Sequence, residues 1–108
     1  MRVYQSTSVP AELAERLRAM PKVEIHVHLE GAVDAETIWE MSVRNSVPMP
    51  VNTLEEWRGF YEFRDFPHFA HVYTTAARCI RTPEDYSAMV VSFLRHQADQ
   101  NIRYSEAY

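Results

Sequence analysis

The segment from Lys22 to Leu29 alternates strictly between polar and apolar side chains. Successive side chains of a β-strand point to opposite faces, so the pattern predicts a strand. The continuous apolar face further predicts that this strand is buried. One face should carry Val23, Ile25, Val27 and Leu29, and the other Lys22, Glu24, His26 and His28.

The rest of the chain has mostly helical periodicity, interrupted by proline and capping residues. Ser8 to Pro10 precede a first helix, and Thr53 with Glu56 has the capping-box pattern, in which side chain and backbone satisfy each other's hydrogen bonds. We expect helices over 11–20, 34–45, a short stretch near Trp57, from Asp65 through Ile80 and from Pro83 onward, followed by a second strand over 102–107.

The last two predicted helices each carry an apolar stripe at helical spacing. The order helix, strand, several helices, strand favours an α/β fold with parallel strands and a long crossover. A complete (β/α)₈ barrel needs about 250 residues, so 108 residues can form only part of one domain of that kind. The stripes consist of Phe66, Phe69, Ala70, Tyr73, Ala76, Ala77 and Ile80, and of Tyr86, Met89, Val90, Phe93 and Leu94.

Charge and cysteine content exclude several classes of function. A net charge of −4 without a basic stripe argues against nucleic-acid binding, and no apolar run approaches the roughly 20 residues of a membrane span. The chain has a single cysteine, Cys79, so it cannot form an internal disulfide. We expect Cys79 to be a small residue of the hydrophobic core, and a lone cysteine fits a reducing compartment. We therefore expect a cytoplasmic protein that acts on a small molecule, with an oligomeric state that these features leave open.

His26 and His28 carry the strongest chemical signal in the chain. Two histidines two residues apart on a strand project from the same face, and their ring nitrogens can converge on one metal ion. The alternative is a pair of surface histidines on an edge strand, but a buried strand would make two unpartnered imidazoles costly. A catalytic zinc site usually has at least three protein ligands, so the pair is an incomplete set. We expect His68, His71 and His96, in predicted helices, to be partly exposed or structural.

The segment Met20 to Ala32, MPKVEIHVHLEGA, closely resembles the first-strand motif of the adenosine/adenine deaminase family of the metal-dependent amidohydrolase superfamily. Pro83 to Tyr86, and Gln100 to Glu106 as a second barrel strand, resemble the same family. The likeness covers nearly the whole chain. It implies that residues 1–108 are the N-terminal portion of a single (β/α)₈ TIM-barrel domain of the amidohydrolase type, with two strands and their connecting helices.

The resemblance also implies a reaction, metal-dependent hydrolytic deamination of an aminopurine with release of ammonia. His26 and His28 would bind one divalent ion, zinc, at the carboxyl end of the barrel strands. The family's other ligands, two histidines and an aspartate, lie on later strands together with the glutamate that transfers protons. No catalytic residue therefore maps onto this chain, and we expect the isolated 108-residue chain to be inactive.

Four residues are predicted to contact the purine. Glu30 stands where adenosine-preferring members often carry Asp to bind the ribose, and Gly31 after it should permit an unusual φ or a close backbone approach. Phe63 and Phe66 belong to an aromatic segment that the resemblance places near the helical lid of the pocket. Phe60, Phe69 and Tyr73 are assigned to packing instead, because aromatic stripes are more often core.

Two other functions remain open from the residues alone. Phosphoesterases also use a His-x-His metal pair at the start of a barrel-like fold, but they usually follow it with a small hydroxyl residue, where this chain has Leu29 and Glu30. A non-catalytic helical interaction module would carry its histidines incidentally. Retention of a stoichiometric metal ion distinguishes the enzymes from this module.

Overall fold

The computed structural model describes residues 9–108, in which one helix precedes the first of two parallel strands and four helices connect that strand to the second. Ser8, predicted as part of the first helix cap, lies outside this range. No helix among the described residues combines the length and the apolar character needed to cross a bilayer. The elements are α1 Ala11–Ala19, β1 Lys22–Val27, a 3₁₀ turn Leu29–Gly31, α2 Ala35–Arg44, α3 Leu54–Phe60, α4 Phe66–Cys79, α5 Pro83–Asp99 and β2 Ile102–Ala107.

Side-chain caps begin most of the helices where the sequence predicts them. Asp34 Oδ1 accepts a hydrogen bond from Thr37 N at 2.7 Å to begin α2. Asp65 Oδ1 accepts from His68 N at 2.8 Å to begin α4. Each cap satisfies an N–H that has no partner within the helix, which fixes the start of the helix at that residue.

The capping box predicted at Thr53 is only half formed. Thr53 Oγ1 accepts from Glu56 N at 3.2 Å as expected, but the Glu56 carboxylate accepts from Asn52 N at 2.8 Å instead of Thr53 N. The reciprocal arrangement occurs at the start of α5, between Thr82 and Asp85. The acidic side chain there is shorter and reaches the cap residue's own N–H.

The sheet contains an irregularity in β1 that the alternation pattern does not reveal. Glu24 pairs with Ser105 and Val27 with Ala107, so three steps along β1 correspond to two along β2. The extra residue is a β-bulge, and His26 within it has a φ of 60°. A bulge shifts the alternation by one residue, so side chains before and after it exchange faces.

The bulge makes the predicted division of the strand faces wrong. Val27 is buried, whereas Val23 and Ile25 are 69% and 63% exposed, and nothing among residues 9–108 covers them. His26 and His28 are also exposed. The histidines and the apolar residues before the bulge therefore share the open face of the sheet, and the prediction of a buried strand is wrong for the described residues.

The other face of the sheet is joined to α5 by side-chain hydrogen bonds. Gln97 Nε2 donates to Glu24 Oε2 at 2.6 Å, and Ser105 Oγ donates to Gln97 Oε1 at 2.6 Å. Gln97 is buried. One amide side chain of the helix thus binds both strands and fixes their height relative to α5.

The hydrophobic core lies among the helices, centred on Trp57, Ile38 and Met41. The apolar stripe predicted for α5 is only partly correct, because Met89 and Phe93 are buried while the other members are exposed. Similarly, α4 buries Ala76 but leaves Phe66 and Phe69 exposed. On both helices, the surface buried by the rest of the described residues is narrower than the predicted apolar stripe. Cys79 is a buried free thiol, as predicted, and burial raises its pKa.

Asp85 is a fully buried carboxylate that joins three helix ends. It accepts hydrogen bonds from the Arg44 guanidinium, from Asn45 Nδ2 at 2.7 Å, and from the backbone N–H groups of Arg81 and Thr82 at 2.9 Å each. Burial by itself raises the pKa of this carboxyl, but Arg44 and the other donors outweigh burial and hold the pKa well below its usual range.

Replacement of Asp85 by Asn should lower the free energy of unfolding by about 2 kcal/mol, because charge-assisted hydrogen bonds are lost and a buried donor then faces Arg44. The depressed pKa stabilises the fold above the unfolded-state value near 3.9, and this stabilisation is lost as the pH falls through the folded-state value. Urea unfolding at about pH 7 and about pH 3 should therefore show a smaller pH effect in Asp85→Asn than in the wild type.

Glu84→Gln is the matched control, since Glu84 lies in the same helical turn but is exposed. Equal destabilisation of the two variants would contradict the role assigned to Asp85.

Candidate functional site

The three aromatic rings of His26, His28 and Tyr108 form a cluster at the carboxyl ends of the two strands. The centroids of the His26 and His28 rings lie 5.4 Å apart, and each lies 5.5 Å from the centroid of the Tyr108 ring. The Tyr108 hydroxyl is 2.8 Å from His26 Nδ1. The predicted metal-ligand pair is therefore brought together on one face, with a tyrosine that the sequence reasoning did not single out.

The donor set of this cluster fits part of a metal site. Neutral imidazole nitrogen is a ligand that suits zinc, and two rings at this separation on one face can direct a nitrogen each toward a common point. No group of three or more His, Cys, Asp or Glu side chains with metal-binding geometry exists within residues 9–108. The assignment of His26 and His28 as two ligands of a larger set stays a prediction.

The backbone at His26 adopts a conformation that is uncommon for a residue with a side chain. Its φ of 60° lies in the left-handed region, which costs a non-glycine residue about 1–3 kcal/mol. Bulges and strained residues occur often beside functional sites, where they redirect a side chain. Here His26 lies within the bulge, and its ring stands beside that of His28.

Three of the four predicted substrate-contact residues line one small cavity. Glu30, Gly31 and Phe63 surround a volume of about 20 Å³, which has room for about one water molecule and is too small for a purine. Phe66 does not line it and is 73% exposed. The remaining walls come from Tyr61, Phe69, Val72, Tyr73 and Ala76.

Gly31 does not have the unusual φ predicted for it, since no glycine among the described residues has a positive φ. A Cβ built at this position would lie 3.4 Å from Cε2 of the Tyr73 ring, which is close to ordinary contact. Gly31 therefore leaves space on the cavity side of the 3₁₀ turn and is not required by the backbone. Its 3₁₀ turn satisfies the local N–H groups without a left-handed residue.

The aromatic walls of the cavity contact one another in series. The Phe63 and Phe69 rings meet edge to face with centroids 5.2 Å apart, and Phe69 continues to Tyr73 at 6.3 Å. Phe69 and Tyr73 were assigned to packing, yet both line the cavity with Glu30. Phe60, by contrast, packs on the core as predicted. Phe69 and Tyr73 are four residues apart in α4, and this spacing could have indicated that they line the same wall of the cavity.

Tyr61 is a cavity residue that the sequence analysis did not single out. Burial raises the pKa of its hydroxyl, and the nearby Asp34, Cys79 and Glu36 raise it further. The phenol is consequently neutral at physiological pH and retains its proton as a hydrogen-bond donor. Tyr61 lies between α3 and Phe63 and belongs to no recognisable motif, so the sequence did not predict that it lines the cavity.

The three helical histidines lie outside the strand cluster and are exposed or partly exposed, as predicted for His68, His71 and His96. The His68 ring packs against Phe60 with centroids 5.3 Å apart, and its Nδ1 accepts from Arg64 N at 3.3 Å. His71 and His96 are exposed. None of them belongs to a metal-binding group within residues 9–108.

Comparisons with known proteins agree on one family. The family model described as adenosine deaminase matches residues 21–108. The adenine deaminase of Cupriavidus necator is 34% identical over 101 residues, which cover 94% of this chain and 29% of that protein. The adenine deaminase of Pseudomonas putida is 33% identical over 92 residues, covering 85% and 29%.

A solved structure gives the same result. The crystal structure of adenine deaminase from Arthrobacter aurescens matches with a TM-score of 0.74 and 31% sequence identity, over 82% of this chain and 27% of that one. The chain therefore spans less than a third of the length of each of these relatives.

The strain at His26 predicts an unusual order of stabilities in the metal-free protein. Glycine adopts a positive φ without steric cost, so His26→Gly should be more stable than His26→Ala by about 1 kcal/mol. Urea unfolding of the two variants measures the difference. At His28, where φ is −87°, the same pair should have the opposite order, because glycine only adds unfolded-state entropy. A less stable His26→Gly variant would show that the backbone there is not strained.

Proposed function

The chain belongs to the adenosine deaminase family, and from this we propose that the complete protein is a metal-dependent aminohydrolase that removes the amino group of an aminopurine as ammonia. Its fold is the N-terminal portion of a (β/α)₈ barrel of the amidohydrolase type, as predicted from the sequence. The observation that carries the proposal is the convergence of His26 and His28 at the carboxyl end of β1.

The position of the cluster supports this function. Enzymes with this barrel place their chemistry at the carboxyl ends of the parallel strands. His26 and His28 lie at the end of β1, and Tyr108 follows β2 directly, so all three rings stand at that end. The family match and this placement together argue against the phosphoesterase and the interaction-module alternatives.

The family is metal-dependent, and zinc is the metal that we propose, because imidazole nitrogens are typical zinc ligands. His26 and His28 would hold it, and further protein ligands would come from residues outside this chain. When bound, such an ion acts as a Lewis acid and lowers the pKa of a water molecule toward neutrality. The two imidazoles would serve in their neutral form, each offering one lone pair to the ion.

The cavity beside the 3₁₀ turn is the proposed wall of the purine site. Phe63 and Phe69 would cover a flat heterocycle and exclude water, and the neutral Tyr61 hydroxyl could donate to a ring nitrogen. Phe66 remains a candidate for the outer rim, since it is exposed beside Phe69 with ring centroids 6.0 Å apart. The present volume of about 20 Å³ requires the aromatic walls to separate when a purine binds.

Glu30 is proposed to select the substrate. It follows His28 by two residues and lines the cavity, so its carboxylate can accept a hydrogen bond from a purine N–H. A carboxylate that extends one methylene further than Asp would crowd a ribose, so we propose adenine or a related free purine as the substrate. The relatives described above are named adenine deaminases, which supports this choice.

The same proposal includes a cytoplasmic location within purine metabolism and a small-molecule partner, with no role for nucleic acid or membranes. The buried free thiol of Cys79 fits a reducing compartment.

Replacing either strand histidine should remove the metal. In the full-length protein, His26→Ala and His28→Ala should lose most of their bound zinc and lower the rate of ammonia release from adenine by at least about a hundredfold, because one ligand is lost. Metal analysis and an ammonia assay measure both effects. His71→Ala, at an exposed histidine, is the control and should keep both. Full zinc content and activity in both strand variants would refute the ligand assignment.

Shortening Glu30 should change the substrate preference. Glu30→Asp should raise the ratio of kcat/KM for adenosine to that for adenine by at least about tenfold, since the ribose gains space and adenine loses an acceptor. Steady-state kinetics with both substrates give the ratio. Glu62→Asp is the matched control, because Glu62 is exposed and does not line the cavity. An unchanged ratio in Glu30→Asp would show that this carboxylate does not choose between them.

A further inference from the structure

Tyr108 is held beside β1 by its backbone. Its N–H donates to Val27 O at 2.9 Å, and its carbonyl oxygen accepts from Leu29 N at 2.9 Å. In a parallel ladder this pattern makes Tyr108 the direct partner of His28, the residue between them. Paired residues of adjacent strands project to the same face, so the tyrosine ring must lie beside the histidine rings.

The side chain of Tyr108 contacts His26, which the backbone pairing places beside it. Its hydroxyl reaches His26 Nδ1 at 2.8 Å, which is ordinary hydrogen-bond length. Within residues 9–108 this hydroxyl is the one hydrogen-bond partner found for the His26 ring. Because His26 lies in the bulge, its ring would otherwise have only edge contacts with its neighbours to fix its orientation.

A neutral imidazole has one N–H and one nitrogen lone pair, and only the lone pair can bind a metal ion. A hydrogen bond at one ring nitrogen therefore decides which nitrogen is available. If Nδ1 carries the proton and donates to an oxygen, Nε2 is left free for the ion. Metal-binding histidines usually fix their other N–H in this way, most often with a carboxylate, a backbone carbonyl or water.

We propose that Tyr108 is a positioning residue of the metal site, whose hydroxyl oxygen accepts the Nδ1–H of His26 and keeps Nε2 free to bind the ion. The proposal rests on the proposed function, since it assumes that His26 is a ligand. It assigns to Tyr108 no contact with the substrate or the metal. The phenol instead sets the tautomer and the ring orientation of a ligand that a bulged backbone leaves poorly constrained.

The test compares full-length wild type with Tyr108→Phe, which keeps the ring and removes only the hydroxyl. Zn²⁺ affinity of the metal-free protein is measured by competition with a chelator. We expect Tyr108→Phe to bind Zn²⁺ about 10- to 100-fold more weakly than the wild type. Tyr104→Phe is the matched control, because Tyr104 is exposed on β2 and its hydroxyl bonds Glu106 Oε1 at 2.7 Å instead of a histidine. It should bind Zn²⁺ as the wild type does.

A spectroscopic readout separates positioning from general damage. ¹⁵N NMR of the metal-free wild type should show neutral His26 as the Nδ1–H tautomer, and Tyr108→Phe should shift it toward Nε2–H. Tyr104→Phe should leave the tautomer unchanged. A wild-type His26 found as the Nε2–H tautomer would overturn the proposal even if a variant failed to fold.

The outcomes distinguish this inference from the function on which it rests. Unchanged Zn²⁺ affinity in Tyr108→Phe, with a wild type that binds Zn²⁺ and deaminates a purine, overturns the role of Tyr108 and leaves the proposed function intact. A wild type that neither retains a divalent ion nor releases ammonia overturns both. Weaker binding with the tautomer shift, in Tyr108→Phe alone, supports the proposal.

Discussion

The buried carboxylate of Asp85 is the interaction on which the helical layer depends. It binds the guanidinium at the end of α2 and the backbone that leads into α5, while its partner Asn45 also donates to Cys79 O at 2.8 Å at the end of α4. Three helix ends are thereby held in one place. With α5 fixed, Gln97 reaches both strands and sets the height of the sheet against the helices. These contacts together set the position of the carboxyl ends of the strands and of the rings that lie there.

The order of the helices and strands, and the starts of most helices, could be predicted from the sequence because their signals are local. Asp34 and Asp65 cap helices within three residues of themselves, and proline marks the first turns of α4 and α5. The bulge at His26 could not be predicted, since strict alternation from Lys22 to Leu29 is what a regular strand would show. The extra residue becomes visible only when the register against β2 is known.

The candidate site likewise has features that could be predicted from the sequence and features that could not. The closeness of the His26 and His28 rings could be predicted because both residues lie in one short motif. Glu30 and Phe63 were predicted from resemblance and lie on one cavity, but the pattern could not tell that Phe69 joins them while Phe66 does not. Residues three apart on a helix differ in direction by about 60°, and the sequence does not show which of the two directions faces the cavity. Tyr108 was missed because it is 82 residues from His26, and only strand pairing brings the two together.

The pairing of β1 with β2 has a consequence for the order in which the molecule assembles. Lys22 and Ile102 are partners across nearly the whole chain, and closing so long a loop has an entropic cost that must be met before the strand contacts form. Helices form from local contacts and shorten the distance that the chain must close. The helical layer is therefore expected to assemble first and the two strands to join late. Because the ring cluster of His26, His28 and Tyr108 exists only across that strand pair, the arrangement of these rings is among the last features of these residues to appear during folding.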